Sequence, residues 1–327
     1  MYVFDGIKLA AKREILLKEK IVRDFASKLK IAAVLFAEDS GSRIYTQLKS
    51  EAAARVGIKY EVHEFSLADS DLREESENLP NEKIIAKIKE LNVDQSVTGI
   101  IIQKPWRKTW IKARNTVSEL SESQQKDEYN YWWNGLTSQI SENKDVDGLH
   151  PNTIKFIQNG NFPENGKVLP ATCRAVLTIL ARAGELEKTE NKSQLSKEEK
   201  IIILGKSDLL GIPLYYELLR QGKNVELIAS LELKERMSSG KKLFDATVIV
   251  SATGIKNLIT GDMISSGITI IDVGEPRPDV EFNSVSSKAS FITPVPGGVG
   301  PMTVISLLEN CVSLVVQGEE GAPQGCT

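Results

Sequence analysis

The sequence predicts an α/β protein of two domains, each built on parallel strands. Three observations carry this. The chain has 327 residues, long for one domain and comfortable for two. Short apolar runs alternate with helical patterns in both halves, which is the rhythm of βαβ units. A long polar stretch, residues 104–144, interrupts that rhythm between them.

Taken in order, residues 7–29 carry apolar positions at helical spacing with Lys and Glu between them. IAAVLFAE (31–38) is too short and too uniformly apolar for a surface helix and is expected to be a buried strand. Ser40, Gly41 and Ser42 end it, and a helical pattern over 44–57 closes at Gly57. A strand (58–65), a helix (82–91) and a strand (97–103) follow. The polar excursion holds Tyr129, Tyr131, Trp132 and Trp133. These aromatics either pack onto the body, the simpler reading, or face a ligand as a lid. A helix is expected after Thr172 as its N-cap. Beyond a charged loop come strands at 200–204, 224–229, 245–252 and 268–274, with a helix after Gly205, as in a nucleotide-binding, Rossmann-like sheet. An amphipathic helix follows Pro301, and the tail from Gln317 is expected to be disordered, with Cys326 inert.

Composition narrows the function. Apolar residues make up 41% and charged residues 26%, ordinary for a globular protein with a real core. Lys plus Arg number 41 against 44 Asp plus Glu, a net charge of −3, which argues against phosphate neutralisation on nucleic acid. Three cysteines and two histidines are too few for a disulfide framework or a multi-ligand metal centre. No stretch is expected to approach the length of a membrane span. The expectation is a reduced, cytoplasmic protein acting on small molecules.

Several residues stand where chemistry belongs. Gly205 to Pro213, between a strand and a helix, is either a phosphate cradle at a helix N-terminus or a plain turn, since its spacing is not G-x-G-x-x-G. Tyr45 and Lys49, four apart, share one helix face. Gln103 ends a strand where open α/β sheets bind ligands. Asp147 lies in an Asp-Val-Asp-Gly turn. The run Thr293–Thr303 has three prolines and three glycines, costly as a mere connector; it invites a cis X–Pro bond and reads as a functional loop.

Together these blocks resemble the bifunctional methylenetetrahydrofolate dehydrogenase/methenyltetrahydrofolate cyclohydrolase family. They are Ser42-x-x-Tyr45-x-x-x-Lys49, Gly99-Ile-Ile-Ile-Gln103, Lys144-Asp-Val-Asp147-Gly-Leu-His150-Pro151, Gly205-Lys-Ser-x-x-x-Gly211-x-Pro213, Ile271-Asp-Val-Gly274 and ITPVPGGVGPMT (292–303). Six blocks in order over residues 5–315 make the match specific.

The resemblance implies a folate-binding catalytic domain (1–148 plus 301–327), a Rossmann-like NAD(P)-binding domain (149–300) and a cleft between them. It implies oxidation of 5,10-methylenetetrahydrofolate to the methenyl form with NADP, then hydration to 10-formyltetrahydrofolate. Lys49 would be the acid/base residue of hydration, Gln103 would hold its amine, and Tyr45 would stack on the folate. Asp147 would bind the pterin N–H groups, and Pro296, Gly297 and Gly298 would shape the folate-facing wall. Gly205, Lys206, Ser207, Gly211, Pro213, Ser230, Thr253 and Gly254 would hold the dinucleotide. NADP is favoured because strand 224–229 ends at Ala229-Ser230 without an acidic residue, while Glu232 keeps NAD possible. A homodimer is implied; a metal, nucleic acid or membrane partner is not.

The chain departs from the family pattern at four places, one of them a shorter stretch after Gly274 that runs through Glu275-Pro276-Arg277-Pro278 straight to Asp279-Val280, as if a hairpin were trimmed. Lys104 follows Gln103 and either perturbs Lys49 or points to solvent. Residues 170–175 keep only Pro170 and Thr172, and the excursion is longer than in relatives. Two alternatives follow: a dehydrogenase with weak or lost cyclohydrolase activity, and a non-catalytic folate- or nucleotide-binding protein.

Overall fold

The computed structural model describes residues 1–25, 28–67, 82–160, 167–189, 199–274 and 277–320. The chain forms two compact units. One comprises Met1–Arg13, Phe156–Phe162 and Leu169–Ser306; the other comprises Glu14–Lys155, Pro163–Val168 and Leu307–Thr327.

The elements, in chain order, begin with β1 (Tyr2–Val3), α1 (Gly6–Phe25), β2 (Lys30–Phe36), α2 (Ser40–Val56), β3 (Lys59–Phe65), α3 (Glu82–Val93) and β4 (Gly99–Ile102). Next are α4 (Arg107–Ala113), α5 (Asn115–Ser118), α6 (Glu122–Thr137), α7 (Pro151–Gln158) and α8 (Ala171–Thr189). The remainder are β5 (Lys200–Leu204), α9 (Gly211–Arg220), β6 (Asn224–Ile228), α10 (Ser230–Ser238), β7 (Val248–Ser251), β8 (Ile268–Asp272), α11 (Phe282–Ser286), β9 (Ala289–Ile292) and α12 (Val299–Glu320).

In the unit holding β2, a three-stranded sheet has the order β3-β2-β4, all parallel. The central strand β2 is buried at six of its seven positions, which is why it is a continuous apolar run rather than an alternating one. Gly99 opens β4 because the Asp145–Asp147 segment runs against it: a Cβ there would lie 2.0 Å from Val146 Cγ1, and Ile100 bridges Asp145. The excursion forms α4, α5 and α6. Trp110, Tyr129, Trp132 and Trp133 are buried, whereas Tyr131 is exposed, so three of the four predicted aromatics pack inward.

The other unit carries a six-stranded parallel sheet, β1-β9-β8-β7-β5-β6. Residues 1–13, placed by sequence reasoning with the first domain, group here because β1 extends the sheet edge. Tyr2 pairs with Phe291, and Phe4 N–H donates to Ile292 O at 2.9 Å.

Three local expectations change. Helix α8 starts at Ala171, and Arg174 N–H donates to Pro170 O, so the helix begins before Thr172, which is not its cap. Helix α12 continues to Glu320; the rest of the tail, with Cys326, lies outside the described residues. Its Val299–Val316 stretch, with mean hydropathy 1.7, is long and apolar enough by length and composition to cross a membrane. The expectation that no stretch is long enough is therefore corrected. Buried Ile305, Leu307, Leu308 and Val312, together with buried Ser306 and Asn310, make it a core helix.

Candidate active site

Helix α2 builds the first part of the site. Its Ser42, Thr46 and Lys49 are buried at spacings of four and three, with half-buried Tyr45 on the same side. An αL glycine, Gly57 (φ 88), ends the helix, its N–H turned back to the last carbonyls. Across the sheet, Gln103 N–H donates to Val34 O at 2.9 Å and prolongs the β2–β4 ladder by one residue. That delivers the Gln103 side chain to Lys49, whose Nζ donates to Oε1 at 3.1 Å. Lys49 is only 8% exposed. Burial pushes its pKa below the usual lysine value, and the charge of Asp147 pulls it back part of the way. The carboxamide adds no charge, so burial decides the direction.

Asp147 is half-buried in the segment beside β4. Its neighbour Asp145 anchors the turn by accepting the N–H groups of Leu149 (3.2 Å) and His150 (2.8 Å). Burial raises the Asp145 carboxyl to about 6 despite those bonds.

Sequence reasoning missed two residues here. Tyr60 of β3 has a buried hydroxyl beside the Gln103 amide. Burial and the Asp147 charge push its phenol up, with the nearby Gln103 amide pulling it back; it stays a donor. No signal in IKYEVHEF distinguishes it. Asn310 of α12 donates to Val146 O at 3.0 Å and so pins the Asp147 segment. A lone Asn in an apolar helix was the available signal.

Lys104 resolves one open alternative. Its Nζ lies 4.9 Å from the Trp133 ring centroid and 5.7 Å from that of Tyr129. It rests on these two rings and does not simply point to solvent.

The nucleotide-type turn lies in the other unit. Gly205 (φ 108) needs the left-handed conformation, and a Cβ there would lie 2.5 Å from Ala252 O. Gly211 packs its backbone on Gly205, leaving 1.8 Å to Gly205 O for any Cβ. Helix α9 has no side-chain cap at its N-terminus, while Ile212 N–H donates to Ser207 O. Uncapped N–H groups behind a glycine turn fit a dinucleotide pyrophosphate. Pro213 sits in the first turn, where a missing N–H costs nothing.

Lys206 Nζ is paired with Glu232 Oε1 at 2.6 Å, both about half exposed. Thr253 is tied inward: its N–H and Oγ1 both donate to buried Asp279 Oδ2, at 2.6 and 2.9 Å. Gly254 (φ 69) has open space about it. The Ser230 side chain lies outside the described residues.

The Pro/Gly-rich loop is also in this unit. Its Val295–Pro296 bond is cis, and Gly297 has φ 97. Gly298 abuts Gly6, where a Cβ would lie 1.9 Å from Gly298 O. The structure thus brings Lys49, Gln103 and Asp147 together, with Tyr45 on the same side of α2, and holds Pro296, Gly297 and Gly298 in the unit with the six-stranded sheet.

A glycine-turn nucleotide sheet, with a buried lysine clamped by a carboxamide in a separate α/β unit, defines a dinucleotide-dependent α/β enzyme. The catalytic-domain model of tetrahydrofolate dehydrogenase/cyclohydrolase matches residues 4–127, and the NAD(P)-binding-domain model matches residues 170–318. The bifunctional protein FolD of Campylobacter jejuni (strain RM1221) is 33% identical over 321 residues, 95% of this chain and 97% of the relative. That of Mesoplasma florum is 31% identical over 322 residues, 95% and 96%. The crystal structure of the bifunctional FolD enzyme from C. jejuni aligns with TM-score 0.73 at 29% identity, covering 98% of this chain and 99% of that one. A silkworm (Bombyx mori) 5,10-methylenetetrahydrofolate dehydrogenase aligns with TM-score 0.72 at 28% identity, covering 97% and 99%. The chain belongs to the tetrahydrofolate dehydrogenase/cyclohydrolase family.

Proposed function

We propose that this enzyme oxidises 5,10-methylenetetrahydrofolate to the methenyl cation with NADP and hydrates that cation to 10-formyltetrahydrofolate. The observation that carries the reading is the buried Lys49 amine bonded to the Gln103 carboxamide at 3.1 Å, with its pKa lowered by burial.

A dinucleotide held at the glycine turn would supply the hydride acceptor. The folate nitrogens stabilise the developing cation, so the protein's task in that step is alignment. Gly205, Lys206, Ser207 and Gly211 are assigned to the phosphates, and Tyr45 and Asp147 to the pterin. In hydration, water adds to the bridging carbon and gives a proton to the neutral Lys49 amine. The bond from that carbon to N5 then breaks and N5 takes the proton from Lys49. The second water proton leaves to solvent as the formyl carbonyl forms. A lysine serves both directions only if its pKa lies near the working pH, which burial favours.

NADP over NAD is supported by Lys206, whose charge suits a 2′-phosphate, and by β6 running into Ala229 rather than an acidic residue. Assembly as a cytoplasmic homodimer belongs to the same reading, and light scattering tests its stoichiometry. The decisive assay supplies methylenetetrahydrofolate with NADP or NAD and follows reduced cofactor and methenyl absorbance. Turnover is expected, faster with NADP, without accumulation of the methenyl form. No turnover with either dinucleotide refutes the reading.

A further inference from the structure

The excursion after Gln103 has an assignable task. Helix α6 starts at a capping box formed by Ser121 and Gln124, and it carries Tyr129, Trp132 and Trp133 at spacings that share one face. That face is locked. Tyr129 and Trp132 pack on Trp110 of α4 with ring centroids 5.4 and 5.6 Å apart, and Trp132 packs on Phe36, the last residue of β2, at 5.5 Å.

From this platform α6 grips the turn after β4. Tyr129 Oη donates to Pro105 O, and the Tyr129 and Trp133 rings receive the Lys104 ammonium. The opposite side of the turn is held from the start of α2. Trp106 N–H donates to Asp39 Oδ2 at 2.9 Å, and Ser42 Oγ donates to Asp39 Oδ2 at 2.8 Å with Lys104 O 3.4 Å away.

Gln103 is the residue immediately before this doubly held turn. Its Nε2 is buried and has the Tyr60 hydroxyl as its side-chain neighbour, which leaves Oε1 for Lys49. The backbone fixes where that side chain starts, through the ladder bond to Val34 on one side and the gripped turn on the other.

We propose that Tyr129 is a positioning residue for the hydration step: by holding the 104–106 turn it keeps Gln103 Oε1 on the Lys49 amine. This rests on the function proposed above. A shift of about 1 Å would carry a 3.1 Å contact beyond hydrogen-bond range, and misplacements of that size cost up to about 10²-fold in rate.

The test uses the full-length enzyme and the Tyr129→Phe variant, which loses only the hydroxyl. Oxidation and hydration are assayed separately across pH, together with thermal unfolding. The expected result is a fall of about tenfold in hydration kcat, with a displaced hydration pH profile. Folate KM and oxidation rate should stay near wild type, with a fall of a few degrees in melting temperature from the lost buried hydrogen bond. Lys104→Met, which removes the charge held by the rings, should move hydration in the same direction if Tyr129→Phe folds poorly. Tyr131→Ala, at the 60% exposed position of the same helix, should change nothing. Hydration and its pH profile unchanged in both Tyr129→Phe and Lys104→Met, or oxidation and hydration falling together, overturns the inference. A wild-type enzyme without either reaction refutes the proposed function instead.

Discussion

Replacing Gln103 by Glu places a carboxylate where a carboxamide oxygen now accepts from the Lys49 amine. Unit charges 3.1 Å apart attract by about 5 kcal/mol at an effective dielectric of about 20. Desolvating the new carboxylate takes back a large part of that. About 2–3 kcal/mol remains in favour of the ammonium, which is about two pKa units at about 1.4 kcal/mol per unit. The sign follows from the chemistry. A raised amine pKa depletes the neutral base near pH 7, so hydration should fall there by about 10²-fold and recover as the pH rises. Oxidation, which needs no protein base, should hold near the wild-type rate. Methenyltetrahydrofolate hydration is followed by loss of its absorbance from pH 6 to 10 in wild type, Gln103→Glu and the uncharged control Gln103→Met. A Gln103→Glu profile that coincides with wild type would refute the claim that this contact sets the basicity of Lys49.

Other outcomes follow from the same geometry. Lys49→Met should abolish hydration while folate still binds, measured by calorimetry; undiminished hydration would assign the acid/base role elsewhere. Glu232→Gln frees Lys206 from its ion pair, and since exposed pairs are worth at most about 1 kcal/mol, the KM for NADP should fall only about two- to fivefold. Gly99→Ala puts a methyl 2.0 Å from Val146 Cγ1 and should displace the Asp147 segment, raising folate KM and lowering the melting temperature. The Asp145 carboxyl is raised to about 6, above the unfolded value of about 3.9. Its contribution to stability is therefore present below about pH 4 and lost as pH rises through about 6. Urea unfolding of wild type and Asp145→Asn over this range should show wild type losing ground as pH rises, and a constant difference would contradict it.

The sequence by itself determined what local periodicity and backbone sterics encode. Continuous apolar runs at β2, β4 and β5, too short for buried helices and set between helical patterns, read as strands of parallel sheets covered on both faces. Ser42, Tyr45 and Lys49 had to share a face because helix pitch sets that spacing. The six blocks marked the family and both halves of its chemistry. Tertiary structure alone decided the rest. The Lys49–Gln103 contact joins residues 54 positions apart, and the direction of the lysine's pKa depends on burial, which no window of sequence measures. The same holds for the resting place of Lys104 on two aromatic rings, the inward tie of Thr253 to Asp279, and the pairing of β1 with β9. Each is fixed by which distant surfaces meet, and packing chooses among partners that local sequence leaves equivalent.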